Sequence, residues 1–129
     1  MTLWVQICNM VGMRKLCFCL CVLLSVAPLG SANAYIDKQT AVVTVMDKTA
    51  GKVQTLALPV GTNVEHEKLN MLVRSCKQTD PFDAQDFFMF IEVNKSDEGK
   101  IFSGWMSANE PGDNPLQNAD YDLWLVKCE

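Results

Sequence analysis

Ala41-Val42-Val43-Thr44-Val45-Met46-Asp47, then Lys48-Thr49-Ala50-Gly51, then Lys52-Val53-Gln54-Thr55-Leu56-Ala57-Leu58: the reading of these three consecutive stretches decides the fold. Two runs rich in Val, Thr and Leu flank a four-residue turn ending in glycine, which predicts a β-hairpin. Working outward, Pro59-Val60-Gly61-Thr62 stops the second strand and a short segment around Val64 offers a third. Lys68 to Cys76 alternates Leu69, Met71 and Val73 against Asn70, Leu72 and Arg74, and a polar loop containing Asp80-Pro81 follows. Asp86 to Val93, the charged turn Asn94 to Gly99, and Lys100 to Met106 form a second hairpin, and Tyr121 to Cys128 is the last strand. Six or seven short strands with no helical period predict an all-β domain, a small antiparallel β-sandwich or barrel. One stretch, Asp83 to Phe90, carries a plausible helical start in Asp83-Ala84-Gln85-Asp86.

The chain has 129 residues, 49% of them hydrophobic and 20% charged, which is one small domain once its N-terminal segment is set aside. Arg14 and Lys15 precede an almost uninterrupted apolar run from Leu16 to Leu29, and Gly30-Ser31-Ala32-Asn33-Ala34 follows. Cations, an apolar stretch too short to span a bilayer and small residues at Ala32 and Ala34 predict a secretory signal peptide over residues 1–34, cleaved after Ala34. Pro28 and Gly30 argue against an uncleaved anchor. Met13 opens Met-Arg-Lys-Leu, the shape of an n-region, so Met1 and Met13 are alternative starts. The small residues that lipoprotein processing wants do not precede Cys17, Cys19 or Cys21, and these cysteines read as bulk of the apolar segment.

Cleavage removes Arg14 and Lys15 and leaves residues 35–129 with nine cations against 15 carboxylates, a net charge of -6. With no cluster of Lys and Arg in that part, nucleic-acid binding is not expected. Of the six cysteines, Cys8, Cys17, Cys19 and Cys21 fall in the signal segment, so Cys76 and Cys128 remain and predict one disulfide in an oxidising compartment. Neither has the Cys-x-x-Cys spacing of a redox pair. Strict alternation would put Cys128 on one face with Trp124 and Val126, and Cys76 with Leu72 and Arg74, so that the bridge lies beneath Trp124. Phe87, Met89, Ile91 and Val93 share one face of their strand, with Phe88 and Phe90 making the other face apolar too. Burial on both sides is expected there, with presentation of the aromatics to a partner as the alternative.

Catalytic and metal-binding sets are sparse. His66 is the only histidine, and in a strand its neighbours Glu65 and Glu67 face away from it, a poor metal cage. One histidine and no Gly-x-Ser-x-Gly leave a serine or cysteine nucleophile without an obvious base. Asp120 with Asp122, or Asp80, Asp83 and Asp86, are candidates for calcium or acid-base work, against the plainer reading of solubility and turn chemistry. Asn94-Lys95-Ser96 is a formal glycosylation sequon in a turn. No catalytic residue, metal or cofactor is assigned.

The most unusual features are Ile101-Phe102-Ser103-Gly104-Trp105-Met106 and the 14-residue polar loop from Ser107 to Asp120. Gly104 beside Trp105 suggests a bulge or a close backbone approach, and so long a loop in a compact domain is either a binding loop or a crossover between sheets with Trp105 as core filler. Phe102-Ser103-Gly104-Trp105-Met106, then Tyr121-Asp122, Trp124 and Cys128, with Cys76 and the opening Asp47-Lys48-Thr49-Ala50-Gly51 and Pro59-Val60-Gly61, resemble the domain of unknown function 2155 family. The resemblance runs from about Ala41 to Cys128 and implies small exported alphaproteobacterial proteins in the periplasm of a Gram-negative cell. After the Trp-Met pair, where members of that family tend to carry an apolar residue and serines, this chain has Ser107-Ala108-Asn109-Glu110, a more polar loop. The functional expectation is a non-catalytic periplasmic domain that binds a cell-envelope protein or component through Trp105, Asn109, Glu110 and Asp113. The alternative is a carboxylate-dependent hydrolase acting on envelope glycans.

Overall fold

A computed structural model describes residues 35–129; the signal-peptide reading falls on residues 1–34, outside the described residues. Eight strands make up the domain: β1 (Ile36–Asp37), β2 (Thr40–Asp47), β3 (Lys52–Pro59), β4 (Asn63–His66), β5 (Leu69–Gln78), β6 (Phe87–Lys95), β7 (Gly99–Ser107) and β8 (Tyr121–Cys128). They form two antiparallel sheets, one in the order β1-β5-β6-β7 with β4 also on β5, the other in the order β3-β2-β8. The sandwich, rather than the barrel, is therefore the architecture. No helix among the described residues is long and apolar enough to cross a membrane.

Each hairpin has a local cause. The β2–β3 turn is held by the Asp47 carboxylate, which accepts from Thr49 N–H (3.0 Å), Thr49 Oγ1 (2.7 Å) and Ala50 N–H (3.1 Å). Gly51 supplies the left-handed residue at φ 67°. Those hydrogen bonds, that of Thr49 foremost, hold the Asp47 carboxyl below its usual range. Residues 79–86 form a loop rather than a helix: Asp80 accepts from Phe82 N–H at 2.9 Å, an Asx turn that competes with helical bonding.

The core lies between the sheets. Ala41, Val43 and Val45 of β2 and Leu123 and Leu125 of β8 face Met71 and Val73 of β5 and Met89, Ile91 and Val93 of β6. Cys76 and Cys128 join in a disulfide, Cα atoms 5.7 Å apart, that fastens β5 of the larger sheet to β8 of the smaller. Strict alternation fails at both half-cystines, for one reason. Arg74 is an unpaired residue between Val73 and Ser75 on β5, and Val126 is one between Leu125 and Lys127 on β8. Each bulge flips the parity of the strand beyond it, so Cys76 shares the core face with Val73, and Cys128 with Leu125. Trp124 and Val126 thus lie on the outer face, away from the bridge.

Candidate functional site

The outer face of the larger sheet carries the feature most suited to binding. On β6, Phe88 and Phe90 alternate away from the core and are half-buried. Register sets Phe88 beside Lys77 of β5, and Phe90 beside Trp105 of β7. The Phe90 and Trp105 rings meet edge to face at 5.4 Å, and Tyr35, immediately before β1, closes on Phe88 at 5.8 Å in the same way. Tyr35, Lys77, Phe88 and Trp105 line a cleft of about 270 Å³. Its walls are largely exposed: Trp105 keeps 45% of its surface and Tyr35 keeps 54%. Trp105 is therefore not core filler, and among the described residues no third layer lies over Phe88 and Phe90, which meet Tyr35 and Trp105.

Ion pairs lie beside the rings and further along the same face. Lys77 pairs with Asp37 at 3.6 Å, and further along the face Glu92 accepts from Arg74 at 3.0 Å while Lys100 lies 3.8 Å away. The Arg74 hydrogen bond lowers the Glu92 carboxyl below its usual range.

The Ser107–Asp120 loop is the crossover between sheets, from β7 to β8, and it is braced at both ends. At its start Asp86 accepts from Ser107 Oγ (2.8 Å), Asn109 N–H (3.0 Å) and Phe87 N–H (2.7 Å), while the Asn109 side-chain amide donates to Gln85 C=O at 2.8 Å. In its middle Leu116 enters the core, and Asn114 Nδ2 donates to Trp105 C=O at 2.9 Å. Gly104 is the close approach expected from its place beside Trp105, since a Cβ there would lie 2.9 Å from Asn114 Nδ2.

At the loop's end Asp120 binds Lys95, which is only 2% exposed although it belongs to the charged β6–β7 turn. Lys95 Nζ also lies 2.9 Å from Glu98 and 3.4 Å from Asp97. The bonds to Asp120 and then Glu98 raise the Lys95 pKa well above its ordinary value. Lys48 Nζ completes the brace, donating to Asn118 C=O at 2.9 Å and pairing with Asp122 at 3.0 Å.

Of the four residues expected to bind a partner, Trp105 alone lines the cleft. Asn109 spends its amide on holding the β5–β6 loop. Glu110 and Asp113 are exposed and come together, and the hydrogen bond and charge of Asp113 push the Glu110 carboxyl above its usual range. Four of the five acidic candidates have structural partners: Asp86 holds Ser107, Asp120 holds Lys95, Asp122 holds Lys48 and Asp80 makes its turn, while Asp83 is exposed in the β5–β6 loop. At the other end of the sandwich Asp47, Thr49, Glu67, Lys68, Asp120 and Tyr121 line a more polar depression of about 430 Å³. There Tyr121 OH donates to Glu67 at 3.3 Å, and burial raises the pKa of the hydroxyl. His66 ends the short β4, half-buried, and among the described residues no group of three or more His, Cys, Asp or Glu is placed to hold a metal ion.

Sequence reasoning missed Tyr35, Lys77 and Lys95. The phase of Met89, Ile91, Val93 carries through to Lys95 and marks it as core-facing. No local signal marks Tyr35 or Lys77, because their neighbours in the cleft come from β6 and β7.

The fold and the cleft define a small disulfide-fastened β-sandwich with an aromatic outer face. Residues 41–128 match the family model described as an uncharacterised protein conserved in bacteria, DUF2155, and the chain belongs to that family. No curated protein and no solved structure matches it.

Proposed function

We propose that the chain is exported to the periplasm, with its signal peptide cleaved after Ala34, and acts there as a non-catalytic domain that binds a cell-envelope protein. The observation that carries this reading is the cleft between Tyr35, Phe88 and Trp105. Exposed aromatic rings set on a sheet and bordered by the Lys77–Asp37 pair suit a partner segment that inserts an apolar side chain and pairs its polar groups with that border. The brace at Asp86, beside Phe87 and Ser107, supports the same reading, because a partner meets a surface already ordered and little conformational entropy is lost on binding. Cleavage after Ala34 makes Tyr35 the first residue, so the new N-terminus itself carries one wall of the cleft.

The test is photocrosslinking in living cells from a photoreactive residue at position 105, with position 109 as a second site beside the loop and position 96, exposed in the β6–β7 turn at the far end of β6 from Phe88, as control. One envelope protein captured at 105, and not at 96, is the expected result; no adduct at 105 or 109 overturns the binding reading. The N-terminal residue of the purified protein, expected to be Tyr35, tests the processing separately.

A further inference from the structure

The edges of the two sheets are treated very differently. β1 and β4 are two and four residues long, and β7 has the crossover loop beside it, with Asn114 donating to Trp105 C=O. β3 has none of this protection. It is eight residues long, pairs with β2 at every position without a register shift, and has no partner on its other flank among the described residues. Only Leu58 is buried and Leu56 half-buried; Val53 keeps 56% of its surface. A long, flat edge with no bulge and no charge or proline in its interior is a template for another strand.

Which backbone groups face outward follows from the ladder. Thr40 exchanges both bonds with Glu129 on the β8 side (2.9 and 2.8 Å), and Val60 N–H donates to Gln39 C=O at 2.9 Å on the β3 side. Antiparallel alternation then turns Lys52, Gln54, Leu56 and Leu58 toward β2 and leaves the N–H and C=O groups of Val53, Thr55 and Ala57 pointing away. Pro59, which has no N–H, falls in the outward set, where its missing donor breaks no bond to β2.

We infer that β3 pairs with β3 of a second copy of this chain, antiparallel, about a two-fold axis at Thr55. In that register Thr55 faces Thr55 and Val53 faces Ala57, so every outward donor meets an outward acceptor. Lys52 falls opposite Leu58 and Gln54 opposite Leu56, so no like charges meet, and a threonine pair sits at the centre. The two three-stranded sheets become one six-stranded sheet whose outer face joins Val42, Met46, Val53, Trp124 and Val126 of both copies. The strand is complementary to itself, which is what an interface between identical chains requires.

The test is sedimentation equilibrium of protein purified after expression of the full chain. A single strand pair buries little surface, so a reversible dimer with a Kd of roughly 10–1000 µM is expected. Thr55→Pro removes one outward N–H and leaves the bonds to β2 intact; Thr55→Lys, at an exposed position, sets two ammonium groups face to face. Each is expected to weaken dimerisation at least tenfold with the near-ultraviolet circular dichroism unchanged, and should Thr55→Pro fail to fold, Thr55→Lys decides alone. A protein still monomeric at about 1 mM, or a dimer that Thr55→Lys leaves intact, overturns the inference.

Discussion

The two ends of the sandwich are locked by opposite kinds of chemistry. At one end Cys76 and Cys128 join the sheets covalently inside an apolar shell; at the other a buried ammonium, Lys95, gathers Asp97, Glu98 and Asp120 from the β6–β7 turn and the crossover loop. The bridge acts by restricting the unfolded chain and is indifferent to pH. The lysine cluster holds only while its carboxylates are charged, so its strength is set by the solution. The crossover loop runs from one end to the other, with Leu116 as its point of attachment to the core.

Breaking the covalent end has the largest expected effect. Closing a loop across a separation of 52 residues is worth about 4 kcal/mol on the chain-entropy model, so Cys76→Ser with Cys128→Ser lowers Tm by roughly 20 °C. Thermal melts with and without reductant check this, and a drop of equal size at pH 5 and pH 7.5 would confirm its independence of pH. Leu116→Ala removes the attachment between the ends and costs about 3 kcal/mol, the usual loss for a truncated buried leucine. Chemical denaturation measures it, and a cost below about 1 kcal/mol would mean that the loop is held by its polar braces alone.

Lys95→Met comes next and has a sign that depends on pH. Burial raises the Asp97 pKa, but a backbone hydrogen bond and the Lys95 charge outweigh it and hold the carboxyl below its usual range. Its contribution is therefore present above the ordinary carboxylate pKa and lost as pH falls through the folded value. The Lys95 pKa is shifted upward, so its own contribution is complete throughout the neutral range and fades only in strong alkali. The variant is expected to melt several degrees below wild type at pH 7, and the gap is expected to narrow toward pH 3; a gap constant across that range would assign Lys95 a packing role only.

Glu110→Gln is the smallest effect and the opposite in sign. Asp113 raises the Glu110 pKa, so the charged form is disfavoured in the folded state and stability falls as pH rises through the carboxylate range. The substitution is expected to raise Tm by about a degree at pH 7 and to change nothing at pH 3, as an exposed charge effect should. A loss of stability at pH 7 would show that Glu110 braces the loop as Asp86 and Asp120 do.

Seven of the eight strands, both hairpins, the single disulfide and the approach at Gly104 were legible in the residues because each rests on local pattern: a period of two, turn residues, two cysteines left after the N-terminal segment, a glycine beside a tryptophan; the two-residue β1 is too short to carry a period and was missed. Tertiary structure alone decided the faces beyond Arg74 and Val126, because a bulge is a mismatch with the neighbouring strand and leaves no period of its own. It decided the burial of Lys95, whose cost is offset by an aspartate 25 residues away. And it decided the aromatic cleft, since Tyr35, Lys77, Phe88 and Trp105 stand on four separate segments that only the sheet register brings side by side.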